Sequence, residues 1–384
     1  MIKIDDFFSD KIAEEYAEKI LPEIKKRYQE NKSELSYKTK KKIFLDDADN
    51  YSEEKVKELI TLSRKELFRK NAFCREYINI TSVQIEYKRL ESAAAKKEMV
   101  KAGYTKICEY CSHLIQTAEK PFNDIKLPKK TFKDFKESIK EVKDDYYKNN
   151  KIIESIISYD ILKGIDGLRH RIISSLNVPV CPYCNRQYIT SWEDEQYSKD
   201  ENDNRRATAD LDHYYNKSDY PLFSLSLFNF IPSCQICNSR MKGQKTDRTL
   251  YPYEEGFGDD ARFAIEPKDK KKEIDVWLGN KNAEFDIKIE ISDSVNADKK
   301  IRIENSKKVF GLEKVYQAHK EYVRELIIKK RVYDEDSYSD NMAVIFEKLG
   351  LDYSEAELKR FLYGSVSPDS DRPLSKLTCD IIKK

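Results

Sequence analysis

Residues 207–243 read ATADLDHYYNKSDYPLFSLSLFNFIPSCQICNSRMKG, and this stretch decides the fold at the centre of the chain. Residues 207–213 predict a short strand that ends at a histidine. Residues 235–242 predict a short helix that carries Asn238. Helical periodicity is clear earlier in the chain and fades from about residue 180, so this stretch differs in character from what precedes it.

Two Cys-x-x-Cys pairs enclose most of this stretch, and their four members are Cys181, Cys184, Cys234 and Cys237. Two residues between thiols let one tight turn direct both sulfurs at one ion, and two such turns complete a tetrahedron. We therefore predict one structural zinc ion that is shared by the two pairs. The alternative is four buried reduced thiols, because free cysteine is often buried.

Composition and charge argue against a membrane-spanning protein, a protein with a signal peptide and one whose overall charge attracts nucleic acid. The chain has 384 residues with 71 basic and 69 acidic side chains, a net charge of +2, so any contact with nucleic acid needs a local basic patch. The start of the chain lacks a basic leader followed by an apolar run, and no stretch approaches the length of a membrane span. We expect a cytoplasmic protein without membrane contact, whose eight cysteines favour metal over disulfide.

The flanking regions predict an α+β protein in which helices predominate. Residues 1–170 show helical spacing, as in Ile12, Tyr16, Ile20 and Ile24. After residue 260 apolar and polar residues alternate as in strands, first at Ile274, Val276 and Leu278, then at Phe285, Ile287, Ile289 and Ile291. Helical spacing returns from about residue 306. We predict a helical region 1–170, a core at 171–260 and a strand-plus-helix region 261–384.

Cys108 and Cys111, a third pair in the helical region, are expected to be buried without a metal.

The central segment also contains the groups that phosphodiester hydrolysis requires. A histidine with a pKa near neutrality, such as His213, can take a proton from water. A hard cation held by carboxylate and amide oxygens, such as those of Asp212 and Asn238, can neutralise the charge of the phosphate.

At these residues the segment 181–243 resembles the HNH nucleases, with Asp-His, then Asn, then Cys-x-x-Cys-Asn-x-x-x-Lys-Gly. The resemblance implies a zinc-stapled ββα-metal (His-Me) finger that cuts DNA. His213 would be the general base, and Asp212 and Asn238 would hold Mg²⁺ or Mn²⁺. Asn229 would form local hydrogen bonds that orient the loop and the histidine. Two departures are Asn238 in place of a histidine, and Asn216 where proline is frequent.

A local basic set accompanies this segment. The set consists of Lys217, Arg240, Lys242 and Lys245, which could contact substrate phosphates, and the alternative for each is a solvated charge. His170, in Leu168-Arg169-His170-Arg171, could reach the site or the DNA. Tyr183, inside the first cysteine pair, is expected to pack around the zinc.

Two flanking motifs, at residues 251–253 and 372–377, resemble HNH proteins of bacterial antiphage systems. The Septu-type and retron-associated proteins work with a partner ATPase, so the resemblance implies a defence role with such a partner. Two other interpretations stay open: a zinc-bound module that binds nucleic acid or protein without cutting, and an interaction scaffold that has lost activity. Asp212-His213 and Asn238 favour the nuclease, because a zinc site alone has no use for a base beside a hard-metal ligand.

Overall fold

The computed structural model describes residues 1–5, 7–90, 148–193, 205–245, 247–333, 344–350, 354–365 and 372–383, with residues 100, 103, 342 and 367. Cys108, Cys111 and most of the predicted helical residues 91–147 lie outside the described residues.

The N-terminal region is helical, as predicted. Helix α1 buries Ile12, Tyr16, Ile20 and Ile24 on one face, which is the spacing that the sequence shows. Ser52 caps α3 by accepting a hydrogen bond from the backbone of Lys55. The helices are α1 (Asp10–Asn31), α2 (Tyr37–Ile43), α3 (Glu53–Thr61), α4 (Arg64–Lys70), α5 (Ala72–Leu90), α6 (Asp160–Gly164) and α7 (Leu168–Ser175).

The centre contains two antiparallel strand pairs. Strands β1 (Ser191–Glu193) and β2 (Arg205–Ala207) form the first pair, and β3 (Ala209–His213) and β4 (Phe230–Cys234) form the second. A short helix of π type, Ile236–Lys242, follows β4 directly. Both the strand that ends at the histidine and the helix that carries Asn238 are therefore confirmed.

The C-terminal region pairs β5 (Ala261–Pro267) with β6 (Phe285–Ile291), so the predicted strand at residues 285–291 is confirmed. The strand predicted at Ile274, Val276 and Leu278 is wrong, because these residues form the short helix α8 (Glu273–Trp277) and its C-cap. Acidic Glu273 and Asp275 favour a helix N-terminus. The remaining helices are α9 (Ala297–Val309), α10 (Leu312–Tyr316), α11 (Lys320–Tyr333), α12 (Glu355–Tyr363) and α13 (Ser375–Ile382).

One hydrophobic core runs through all three predicted regions. Segments near both ends of the chain pack on the first cysteine pair: the backbone of Ile2 donates to the Pro182 carbonyl over 2.9 Å, and that of Leu374 donates to the Asn185 carbonyl over 2.6 Å. The centre is thus built into the rest of the protein. Across the described residues, every helix is too short or too polar to cross a bilayer.

Candidate active site and metal centre

The four cysteines of the two pairs come together in one buried cluster. Their sulfur atoms all lie within 4.8 Å of one another, which suits a single tetrahedral ion such as zinc. Within the described part of the chain this is the one such group of histidine, cysteine or acidic side chains. Sequence spacing therefore predicted correctly which four thiols meet.

The first pair is closed by Asn185, whose backbone donates to the Cys181 carbonyl over 2.8 Å. Asn185 has a φ of 51°, a left-handed conformation that asparagine tolerates better than most residues. In the second pair the backbone of Cys237 donates to the Cys234 sulfur over 3.5 Å. Burial raises the pKa of the Cys181 thiol well above its ordinary value. A cation in the cluster would supply the charge that stabilises the thiolates.

Asp212, at the end of β3, is a buried carboxylate with a hydrogen-bond donor on each oxygen. It is 3% exposed. Its Oδ2 accepts a bond of 2.6 Å from the Tyr183 hydroxyl, and its Oδ1 accepts one of 2.8 Å from the Lys242 ammonium. The carboxylate is therefore held in a fixed orientation by groups from two other segments.

Both donors to Asp212 lie close in sequence to the cysteine pairs. Tyr183 lies between Cys181 and Cys184, and Lys242 follows Cys237 on the same short helix. In that helix Gly243 N is bonded to the Asn238 carbonyl five residues earlier, and Cys237 and Lys242 are the residues that are buried. The ion that organises the cysteines would also fix the two groups that hold Asp212.

His213 is oriented by one hydrogen bond and two aromatic rings. Its Nε2 lies 3.0 Å from the Ser224 carbonyl, and its ring makes edge contacts with Tyr159 and Phe230 at centroid distances of 4.7 and 5.2 Å. Because a carbonyl only accepts, Nε2 carries the proton and Nδ1 is the nitrogen that can accept one. Burial lowers the pKa of His213 to about 4, below the near-neutral value expected from the sequence, so the imidazole is neutral at neutral pH.

Asn229 closes the long loop between β3 and β4. Its side chain accepts from the backbone of Tyr215 over 2.7 Å and donates to the carbonyls of Tyr215 and Phe223 over 3.0 and 2.9 Å. It is fully buried, and its side-chain contacts begin two residues after His213. Asn229 thus holds the backbone of the loop behind the histidine, and it does not line the cleft described below.

Asp212, His213 and Asn238 line one cleft of about 450 Å³, together with Lys217 and Lys242. Asn238 uses its amide nitrogen to donate to Asp210 over 3.1 Å, so the amide oxygen is the atom left for a cation. Of the other residues predicted from sequence, Asn229 lies behind the site, and Arg240 is exposed and does not belong to this lining.

Lys242 differs from the prediction that it contacts substrate phosphate. It is 5% exposed, and its ammonium also donates to the His213 carbonyl over 2.6 Å. Its charge therefore neutralises Asp212 and ties the end of β3 to the helix.

The N-terminal region adds three cleft residues that sequence reasoning missed, which are Tyr159, Lys163 and Arg169. The sequence pointed close to Arg169, because its neighbour His170 was predicted to reach the site. His170 itself does not belong to the lining of the cleft.

Replacing Lys242 with methionine is expected to lower the free energy of unfolding by about 3–5 kcal/mol, because it leaves the buried Asp212 carboxylate without its cation. Tyr183→Phe removes only one hydrogen bond to the carboxylate, and about 1–3 kcal/mol is expected. Urea denaturation measures both. Lys245→Met, an exposed lysine three residues further on, is the control and should change stability by only ~0.5 kcal/mol. An equal loss in the free energy of unfolding for the Lys242 and Lys245 variants would contradict a stabilising role of the buried Lys242–Asp212 ion pair.

Comparisons of the chain with protein-family models, with curated proteins and with solved structures find no match. Function is therefore inferred from the geometry and chemistry of this cleft.

Proposed function

We propose that the protein is a metal-dependent endonuclease of the HNH type that hydrolyses phosphodiester bonds of DNA. One observation carries the proposal: a neutral imidazole, a buried carboxylate and an amide oxygen line one cleft, and strand, loop, strand and helix follow one another to place them there. That order of elements agrees with a ββα-metal finger. A purely structural zinc module has no use for this set of side chains.

His213 is the general base of the proposed reaction. Its protonated Nε2 is held by the Ser224 carbonyl, and Nδ1 takes the proton from the attacking water. The edge contact with Tyr159 and the pairing of His213 with Phe230 across the strands keep the ring in one orientation. A fixed ring matters because proton transfer requires hydrogen-bond distance to the water in the reacting complex.

Asp212 and Asn238 would hold the divalent cation, Mg²⁺ or Mn²⁺. Each oxygen of Asp212 accepts one hydrogen bond and keeps a lone pair, and Asn238 offers its amide oxygen, so the donor set suits a hard cation. When bound, the cation supplies the positive charge that stabilises the phosphate and the leaving oxygen.

The charge of the cleft supports a polyanionic substrate. The whole chain is nearly balanced, with a net charge of +2. Within the described residues, buried Lys242 neutralises Asp212, the one carboxylate of the cleft lining, and the lining contains three further cations, Lys163, Arg169 and Lys217. This is the local basic patch that the sequence predicted to be necessary if nucleic acid is bound.

The first test measures metal binding and DNA cutting with the same purified protein. Mn²⁺ affinity, followed by electron paramagnetic resonance, is expected to fall by at least about tenfold in Asp212→Asn and in Asn238→Ala, because each removes an oxygen ligand. Supercoiled plasmid should be nicked or linearised with Mg²⁺ or Mn²⁺ and stay intact with EDTA.

Asp293→Asn, an exposed carboxylate in a loop away from the cleft, is the matched control and should leave Mn²⁺ affinity unchanged. Equal Mn²⁺ affinity in all three variants would contradict the assigned ligands. A protein that binds DNA and Mn²⁺ but cuts no phosphodiester would favour the zinc-bound binding module. The antiphage role and the partner ATPase depend on the resemblance of the flanking motifs alone and stay predictions.

A further inference from the structure

Tyr159, just before α6, brings together groups from two separate segments at the cleft. Its ring makes the edge contact with His213 at 4.7 Å. The ammonium groups of Lys163 and Lys217 lie over the same ring, at 5.5 and 4.8 Å from its centroid. Two cations from distant parts of the chain therefore meet at one aromatic ring that also contacts the candidate base.

The two lysines are available to a ligand. Lys217 is exposed and forms no ion pair with an acidic side chain in the part of the chain that the structure describes. Lys163 pairs with Asp160 over 2.9 Å, but the side chains are 55% and 70% exposed. An exposed pair of this kind contributes little to stability, so a phosphate can replace the carboxylate at small cost.

The cationic side chains at this ring are only partly balanced by acids. Asp160 pairs with Lys163 over 2.9 Å, and its carboxyl pKa is lowered first by that hydrogen bond and to a smaller extent by the charge of Lys217. Arg169, also in the lining, adds a third positive charge and pairs with Asp210 over 3.3 Å. Three cations thus face two carboxylates, so a phosphate near the lysines would meet a net positive charge.

We propose that Lys163 and Lys217 form a subsite for the DNA backbone, which binds a phosphodiester next to the one that is cut. The inference rests on the proposed function, because it places the subsite beside His213. Tyr159 is the positioning residue that holds both ammonium groups and the imidazole around one ring. The contacts reach phosphate oxygens and not base edges, so the subsite sets the position of the strand and is indifferent to sequence.

The experiment measures binding of a short labelled DNA duplex by fluorescence anisotropy in the full chain carrying His213→Ala, so that cutting does not interfere. Lys163→Gln with Lys217→Gln is expected to weaken binding on the order of tenfold at low salt. The slope of log K against log salt concentration should become shallower by about 1 for each lysine removed.

Lys268→Gln is the matched control, since Lys268 also pairs with one exposed acid, at 49% and 73% exposure, and lies outside the cleft lining. It should leave affinity and slope unchanged. Unchanged affinity and slope in the double variant, with normal zinc content and melting temperature, would overturn the subsite even if the protein cuts DNA. Weaker binding with a shallower slope would support the phosphate subsite even if the protein cuts no DNA. The subsite and the nuclease proposal can therefore be disproved separately.

Discussion

Replacing His213 with alanine is expected to slow DNA cleavage by about 10²–10⁴-fold, the usual contribution of a general base. The side chain lies in the cleft with Asp212 and Asn238, and its Nδ1 is the nitrogen free to take a proton. The measurement is the initial rate of plasmid nicking with saturating Mg²⁺ or Mn²⁺. Since Asp212 and Asn238 remain, Mn²⁺ affinity should be close to that of the unmodified protein.

His319→Ala is the control for this variant. His319 is also partly buried, but it accepts a hydrogen bond from Arg186 beside the first cysteine pair and does not belong to the described lining of the cleft. Its loss should leave the cleavage rate unchanged. If the His213 variant cut DNA as fast as the unmodified protein, the base would be another group, or the observed cutting would come from a contaminant.

The sequence could predict those features of the site that depend on the spacing of neighbouring residues. The strand that ends at His213, the helix that carries Asn238 and each of the two cysteine pairs are specified by residues close together in the chain. Such patterns can be recognised without tertiary structure because periodicity and turn geometry act over a few residues.

The rest depends on contacts between segments that are distant in sequence. Tyr183 was expected to pack around the zinc and Lys242 to bind phosphate, yet both donate to Asp212. Lys163 belongs to a region that showed only ordinary helical spacing, and its place beside the site depends on how α6 packs on the centre. No local pattern contains that information.

The error at residues 274–278 shows the limit of alternation as a signal. Three apolar residues at every second position suit a strand, but the first and last are also one helical turn apart. In the structure Val276 is buried, whereas Ile274 and Leu278 are 73% and 46% exposed. A short run of this kind is therefore decided by its flanking residues, here the acidic helix start, and not by its periodicity.

Replacing one cysteine of the cluster is expected to have the largest effect on the fold. Cys184→Ser and Cys234→Ser each remove one of the four thiols that meet in the cluster and could hold one ion. Because zinc binding contributes about 10–16 kcal/mol in small zinc domains, a loss of several kcal/mol in the free energy of unfolding is expected. Zinc content by mass spectrometry of the metal, and thermal unfolding, measure the effect.

Cleavage should be lost together with zinc in these variants, because the two side chains that hold Asp212, Tyr183 and Lys242, lie next to the cysteine pairs and should move when the pairs separate. Cys74→Ser is the control: Cys74 is 1% exposed and lies outside the cluster, so it should lose only local packing and keep its zinc. Normal zinc content in both cluster variants would show that the two pairs do not share an ion. In that case the zinc would not link the cysteine pairs to the carboxylate, and Asp212 would have to be held by the surrounding core alone.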